Sequence, residues 1–152
     1  MVRKQKLVAY LIGPMDYASD NGLMWRRHYA KVLKEKFNVE CIIPNDEEKG
    51  LLAGIDIWEL KEKKYDDFIK VMKKIIKMDL EFVKKADLII GRWNGEPIAG
   101  TIGEATLAFD LNKKCYLVSN RPTKEFPNWF AGCFTQQFKT LKDLIEYLEE
   151  EL

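Results

Sequence analysis

The sequence has 152 residues, carries 25 Lys and Arg against 24 Asp and Glu, and is 47% hydrophobic. This length and composition are typical of a soluble globular protein, and we expect a single domain over residues 1–152. The nearly neutral charge argues against a nucleic acid polymer as partner. No apolar run approaches the ~20 residues that span a bilayer, so no membrane partner is expected.

The cysteines and the first residues of the chain indicate the cellular compartment. Residues 1–6 run directly into a short apolar segment, without a signal-peptide pattern. The three cysteines are odd in number and lack the spacing of a metal site. We therefore expect reduced thiols, a cytoplasmic protein and no metal or cofactor.

Strand-like and helix-like segments alternate along the chain. Residues 6–12 form a nearly continuous apolar run before Gly13 and Pro14, which is typical of a buried strand in a parallel sheet. The other predicted elements are strands at 39–43, 87–91, 114–118 and 134–138, and helices at 21–37, from 59 or 65 to 85, 101–111 and 141–152. Residues 45–58, 92–100 and 122–132 are expected to be irregular.

This alternation predicts an α/β fold, with a parallel sheet and helices on both faces. About five strands fit a flavodoxin-like three-layer domain with strand order 2-1-3-4-5 better than a full Rossmann domain. In such a sheet the ligand binds at the carboxyl ends of the strands, where the strand order reverses. We therefore expect binding loops at residues 13–21 and 92–100.

Asp79 falls on the apolar stripe of the long predicted helix, three residues after Ile76 and four before Val83. A carboxylate on that face should point toward the sheet or a crevice, where loss of water raises its pKa. The alternative is an aspartate paired with a nearby Lys or Arg.

Glu104 lies near the start of the predicted helix 101–111 and shares the inward stripe of Leu107, Ala108 and Leu111. The alternative is a glutamate that complements the positive helix N-terminus. If both Asp79 and Glu104 face one cleft, a pair of carboxylates suits glycosidic bond chemistry, since one attacks the anomeric carbon and the other handles a proton.

Three motifs together resemble the nucleoside 2-deoxyribosyltransferase superfamily, whose relatives include the 2'-deoxynucleoside 5'-monophosphate N-glycosidases. They are VAYLIGP at residues 8–14, DLxxVxxAD at residues 79–87, and GTxxE at residues 100–104. The resemblance spans most of the chain, from about residue 7 to residue 118. It implies cleavage or transfer of the N-glycosidic bond of a small-molecule substrate, either a 2'-deoxynucleoside or its 5'-monophosphate, and a homo-oligomer.

The resemblance also implies catalytic roles. Glu104 matches the nucleophile that attacks C1' and forms a glycosyl-enzyme, and Asp79 matches a carboxylate that assists sugar binding or proton transfer. Tyr10 matches the tyrosine that orients the nucleophile, although a strand tyrosine is equally explained by core packing. Gly13 and Pro14 would form the floor of the sugar site.

One departure from the family pattern stands out. The transferases carry an aspartate six residues before the nucleophile, and this chain has Ile98 there. Asn94 or Glu96 in the same loop would be the nearest polar substitutes. The departure puts efficient base exchange in doubt, so the resemblance leaves transferase and hydrolase both open.

Other residues are candidates for substrate contact. Arg26 near the start of the first helix would suit a 5'-phosphate, unless it is an ordinary surface arginine. Trp93 in its loop would stack on a base, as would Trp58 or Trp129, unless these side chains pack in the core or an interface. The further candidates are Asn94, Gly100 and Thr101.

Residues 45–58 are a candidate lid, and the acidic run at 46–48 is expected to be solvated. A rival function from another class is a non-catalytic nucleotide-binding or sensing module on the same fold, because fold does not fix function.

Overall fold

The computed structural model describes residues 6–16, 18 and 20–152. Residues 1–5, on which the prediction of no signal peptide partly rests, lie outside the described residues, as do residues 17 and 19 of the first predicted binding loop. Among the described residues, no helix is both long and apolar enough to cross a bilayer.

Five strands form one parallel sheet in the order β2-β1-β3-β4-β5, which confirms the predicted topology. The strands are β1 Val8–Ile12, β2 Glu40–Ile42, β3 Leu88–Arg92, β4 Lys114–Val118 and β5 Gln136–Phe138. The helices are α1 Leu23–Phe37, α2 Pro44–Glu48, α3 Ile57–Lys63, α4 Tyr65–Lys85, α5 Ala99–Asp110, α6 Asn128–Gly132 and α7 Leu141–Glu151, with a 3-10 turn at Thr123–Glu125.

The prediction of an irregular loop at residues 45–58 was wrong, because this segment holds most of α2 and the start of α3. Pro44 occupies the first turn of α2, where its missing N–H is not needed. The Asp56 carboxylate accepts from the backbone N–H groups of Trp58 and Glu59, each at 3.1 Å, and so caps α3.

Side chains of β1 alternate between two cores, as the period of a strand requires. Ala9 and Leu11 pack in the core that contains α1 and α7 residues. Tyr10 and Ile12 point to the opposite face and join the core formed with α4, α5 and α6 residues. This alternation places the Tyr10 side chain on the face of the sheet that carries the two predicted catalytic carboxylates.

Candidate active site

A cavity of about 850 Å³ opens at the carboxyl ends of β1 and β3. This volume lies within the range of pockets that hold small molecules, and the position is the predicted switch point of the sheet. Its walls come from the segment after β1 and from α2, α4 and α5. Every charged side chain among the described lining residues is acidic, namely Asp16, Glu48, Asp79, Glu104 and Asp110.

Tyr10 and Glu104 interact beneath this cavity. Glu104 lies in the second turn of α5 and lines the cavity, whereas Tyr10 is fully buried in β1. No hydrogen bond of ordinary geometry from the described residues reaches the Tyr10 hydroxyl or Glu104 Oε2. The two groups are still close enough for the hydroxyl to lower the pKa of the carboxyl.

Burial dominates the electrostatics of Glu104. It raises the pKa of this carboxyl to about 7, against the lowering influence of the Tyr10 hydroxyl and the Arg26 guanidinium. The pKa of Tyr10 rises above its ordinary range, because the ring is buried beside Glu104 and Asp79. Tyr10 is therefore a neutral hydroxyl that can donate a hydrogen bond to the Glu104 carboxylate.

Asp79 lies on α4 and lines the same cavity, as its place on the apolar stripe predicts. Its Oδ1 is buried without a hydrogen-bond partner among the described residues. Burial raises the pKa of Asp79, and the charge of Glu104 raises it further, whereas Glu48 lowers it through a side-chain hydrogen bond. Asp79 therefore faces two other carboxyl groups rather than a surface cation.

The expectation that the acidic run at 46–48 is solvated was wrong for Glu48, which is 7% exposed and lines the cavity. Glu48 ends α2, four residues after the buried Pro44, so both lie on the inward face of that helix. Asp46 instead pairs with Arg27, and Glu47 is exposed. The sequence offered one sign that Glu48 is buried, namely its i+4 spacing from Pro44. This spacing places the two residues on one face only if the segment is helical.

Arg26 is one of the largest fully buried side chains of the described residues, at 1% exposure. Its guanidinium donates to three backbone carbonyls, those of Leu11 at 3.1 Å, Gly22 at 2.9 Å and Gly13 at 2.8 Å. It does not line the cavity, but its positive charge lowers the pKa of Glu104 and of Asp79. Arg26 thus fixes the segment between β1 and α1.

The glycine and proline after β1 border the cavity. Gly13 and Pro14 line the cavity, and so do Gly100 and Thr101 at the start of α5. A Cβ atom on Gly13 would lie 2.7 Å from the Trp25 ring and 2.8 Å from a backbone oxygen, so this position requires glycine.

Trp93 and Asn94 do not line the cavity. Trp93 is 6% exposed and packs edge-on against Phe126 and Phe130, so it is a core residue. The Asn94 side chain accepts from the backbone N–H of Asn120 at 3.1 Å and ties its loop to the segment after β4. The Glu96 carboxylate accepts from the Asn94 backbone N–H at 2.9 Å, so it caps its own loop.

Two other residues do reach the cavity. Ile98 lines it as an apolar side chain, at the position where the family pattern has an aspartate. Trp129 lines it at the rim, is 68% exposed, and donates to the Thr106 hydroxyl at 2.9 Å. Of the three tryptophans considered for base stacking, Trp129 is the one placed at the cavity.

Comparison of the sequence with protein-family models and with curated proteins gives no match. Comparison with solved structures gives a 2-deoxyribosyltransferase from Bacillus psychrosaccharolyticus, with a TM-score of 0.61 and 21% identity over 90% of this chain and 89% of that chain. It also gives the CMP N-glycosidase BcmB of Clostridium botulinum, with a TM-score of 0.52 and 16% identity over 93% and 98% of the two chains. This chain therefore has the fold of these two enzymes, in agreement with the resemblance of its motifs.

Proposed function

We propose that this protein cleaves or transfers the N-glycosidic bond of 2'-deoxynucleosides through a covalent glycosyl-enzyme on Glu104. The observation that carries the proposal is the arrangement of Glu104 in the cavity, with Tyr10 beneath it and Asp79 facing it. The shared fold with a deoxyribosyltransferase and an N-glycosidase supports the same reaction class.

The geometry supports a two-step covalent reaction. Glu104 attacks C1' while the bond to the base breaks and the base takes up a proton. A second base or water then attacks C1' and releases Glu104 as a carboxylate. Tyr10 holds the nucleophile by its hydroxyl, and Asp79 contacts the sugar or the proton path.

A free nucleoside suits this cavity better than a 5'-monophosphate. No Lys, Arg or His is among the described lining residues, although a phosphate can also bind the free backbone N–H groups of a helix N-terminus. Such groups are present here, since Gly100 and Thr101 line the cavity in the first turn of α5, which has no side-chain cap. Each of the three nitrogens of the Arg26 guanidinium already donates to a carbonyl. The five acidic side chains of the walls would repel a phosphate, so we propose a 2'-deoxynucleoside ahead of its 5'-monophosphate as substrate, and the panel below tests both.

The test is a panel of 2'-deoxynucleosides and their 5'-monophosphates, incubated with and without an acceptor base and followed by chromatography. We expect release of free base from at least one nucleoside. Intact-mass measurement of rapidly quenched protein should show the addition of one deoxyribosyl group. Glu104→Ala should lower base release by roughly a thousandfold or more.

Glu81→Ala is the matched control, since Glu81 is exposed on α4 and pairs with Lys84. It should leave the rate unchanged. A rival binding or sensing module would bind nucleosides without releasing base, and no release from any member of the panel would exclude the proposed reaction.

We also propose a homo-oligomer, as the family resemblance implies. Three large apolar side chains at the cavity are more than half exposed: Ile76, Phe109 and Trp129. A second copy packed there would bury them and narrow the cavity mouth. Light scattering during size-exclusion chromatography measures the oligomeric state. The cytoplasmic location and the single domain stay predictions.

A further inference from the structure

The proposed reaction needs a proton donor for the leaving base, and the loop after β3 supplies none. Ile98 is apolar, and the Glu96 carboxylate is turned back onto its own loop. The donor must therefore come from another element that borders the cavity.

Glu48 borders the cavity from the other side of β1. It ends α2, which directly follows β2, whereas Glu104 belongs to α5, which follows β3. Because β2 and β3 flank β1 in the sheet, these two carboxyl groups approach the cavity from opposite sides of β1. A substrate between them would have one carboxyl available at C1' and the other available at the base.

Glu48 also has the partner that a proton donor needs. Its carboxyl interacts with that of Asp79, and two carboxyl groups in contact retain a shared proton. Burial raises the pKa of Glu48, and the charge of Asp79 and a hydrogen bond to Asp79 raise it further. The two groups therefore hold a proton between them, and Glu48 is the member of the pair that lies across β1 from Glu104.

Several other ionisable groups interact with Glu48. The charged and titratable groups that act on it or are acted on by it are Asp16, Asp79, Arg26, Glu104 and Tyr10. Arg26 is the single buried cation of this set, and its charge lowers the pKa of Glu104, Glu48 and Asp79. Tyr10 and Arg26 thus favour the ionised form of Glu104 against the effect of burial, while a proton remains on the Glu48–Asp79 pair.

We propose that Glu48 is the general acid and base of this protein, delivering a proton to the leaving base and recovering one from the acceptor. This inference rests on the proposed glycosidic reaction. In the first step a Glu104 oxygen bonds to C1', the C1'–N bond breaks with its electron pair going to the base, and the Glu48 proton moves to the base. In the second step water or an acceptor base bonds to C1', its proton returns to the Glu48 carboxylate, and the Glu104 carboxylate leaves.

The test compares Glu48→Gln with Glu47→Gln and Asp79→Asn. Glu47 is the matched control, because it is the adjacent residue of α2 and is exposed. Two substrates are needed: the deoxynucleoside that the wild type cleaves fastest, and 4-nitrophenyl 2-deoxyriboside, whose nitrophenolate leaves without a proton. Rates are measured across pH, and circular dichroism checks that each variant is folded.

Glu48→Gln should lower kcat on the nucleoside by roughly 100- to 10,000-fold and on the nitrophenyl glycoside by only a few-fold. The fall of kcat/KM at alkaline pH, which reports loss of the donor proton, should disappear in Glu48→Gln and persist in Glu47→Gln. Asp79→Asn should lower the rate on both substrates, since Asp79 positions the proton rather than donating it.

Other outcomes separate this inference from the proposed function. If the wild type releases base and Glu48→Gln matches it, or loses the same factor on both substrates, Glu48 is not the acid and the reaction still stands. If Asp79→Asn, and not Glu48→Gln, loses rate on the nucleoside but little on the nitrophenyl glycoside, then Asp79 donates the proton and the proposed reaction still stands. If the wild type releases no base from any nucleoside, the proposed function fails and the role of Glu48 fails with it.

Discussion

Tyr10 and Glu104 belong to different layers of the protein and interact under one cavity. Tyr10 is fully buried in β1, and Glu104 lines the cavity from α5. Burial raises the pKa of Glu104 to about 7, and the Tyr10 hydroxyl opposes that rise. The proposed nucleophilic role of Glu104 requires an ionised carboxyl, so the Tyr10 hydroxyl should increase the reactive fraction at neutral pH.

Tyr10→Phe should reduce kcat/KM by roughly 10- to 100-fold, because a hydrogen bond to a charged group contributes about 1.5–3 kcal/mol. The pKa of Glu104 should rise without the hydroxyl, so the acid limb of the pH profile should move to higher pH. Tyr29→Phe is the control, since Tyr29 is also buried but lies in the core on the other face of the sheet. An unchanged acid limb in Tyr10→Phe would show that the hydroxyl does not act on Glu104.

The sheet was predictable because its strands are short apolar runs with clear ends. Residues 8–12 end at Gly13 and Pro14, and the strand at 114–118 was predicted with its observed bounds. α2 was missed because five residues are too few for a helical period to appear. α3 left a usable signal, since Asp56 followed by Glu59 three residues later is typical of a helix start.

The site was predictable where a long helix fixes the face of a side chain. Asp79 and Glu104 were found because each carboxylate interrupts an apolar stripe, whereas Glu48 was missed with its helix. Arg26 was expected to contact a 5'-phosphate or to lie on the surface, and its burial depends on three backbone carbonyls that converge only in the folded chain. No local pattern shows that convergence.

Arg26→Lys should destabilise the protein by about 2–4 kcal/mol, because lysine cannot satisfy three buried carbonyls at once. Urea unfolding at neutral pH measures this difference. Arg27→Lys is the control on the next residue of α1, where the arginine is about half exposed and pairs with Asp46. That variant should lie within about 1 kcal/mol of the wild type. Equal stability of the two variants would mean that the three carbonyls find other donors.

Glu104→Gln should make the protein more stable at pH 8 and leave its stability nearly unchanged at pH 4. The folded state holds the Glu104 proton up to about pH 7, whereas the unfolded chain releases it near its ordinary pKa of 4.5. As pH rises through this window, the wild type bears the cost of a buried carboxylate, about 1–3 kcal/mol, and the glutamine variant does not. Thermal unfolding should show a difference of a few degrees that grows from pH 4 to pH 7. A gain that is the same at every pH would point to packing rather than charge.

Gly103→Ala should stabilise the fold and impair substrate binding. Gly103 lies inside α5, where alanine is the better helix former by up to about 1 kcal/mol. Apart from its chain neighbours and the adjacent backbone of its own helix, a Cβ atom there would meet no atom within 4 Å. The space is open because Gly103 lines the cavity, so the added methyl group would occupy volume that the substrate needs. We therefore expect a higher Tm together with a higher KM.

Gly132→Ala tests whether the higher KM arises because the added methyl group lies in the cavity. Gly132 ends α6, offers the same open space for a Cβ atom, and is not a lining residue. Its KM should stay at the wild-type value. If Gly103→Ala also keeps the wild-type KM while its Tm rises, substrate does not approach this turn of α5, and the sugar must lie nearer to Gly13 and Pro14.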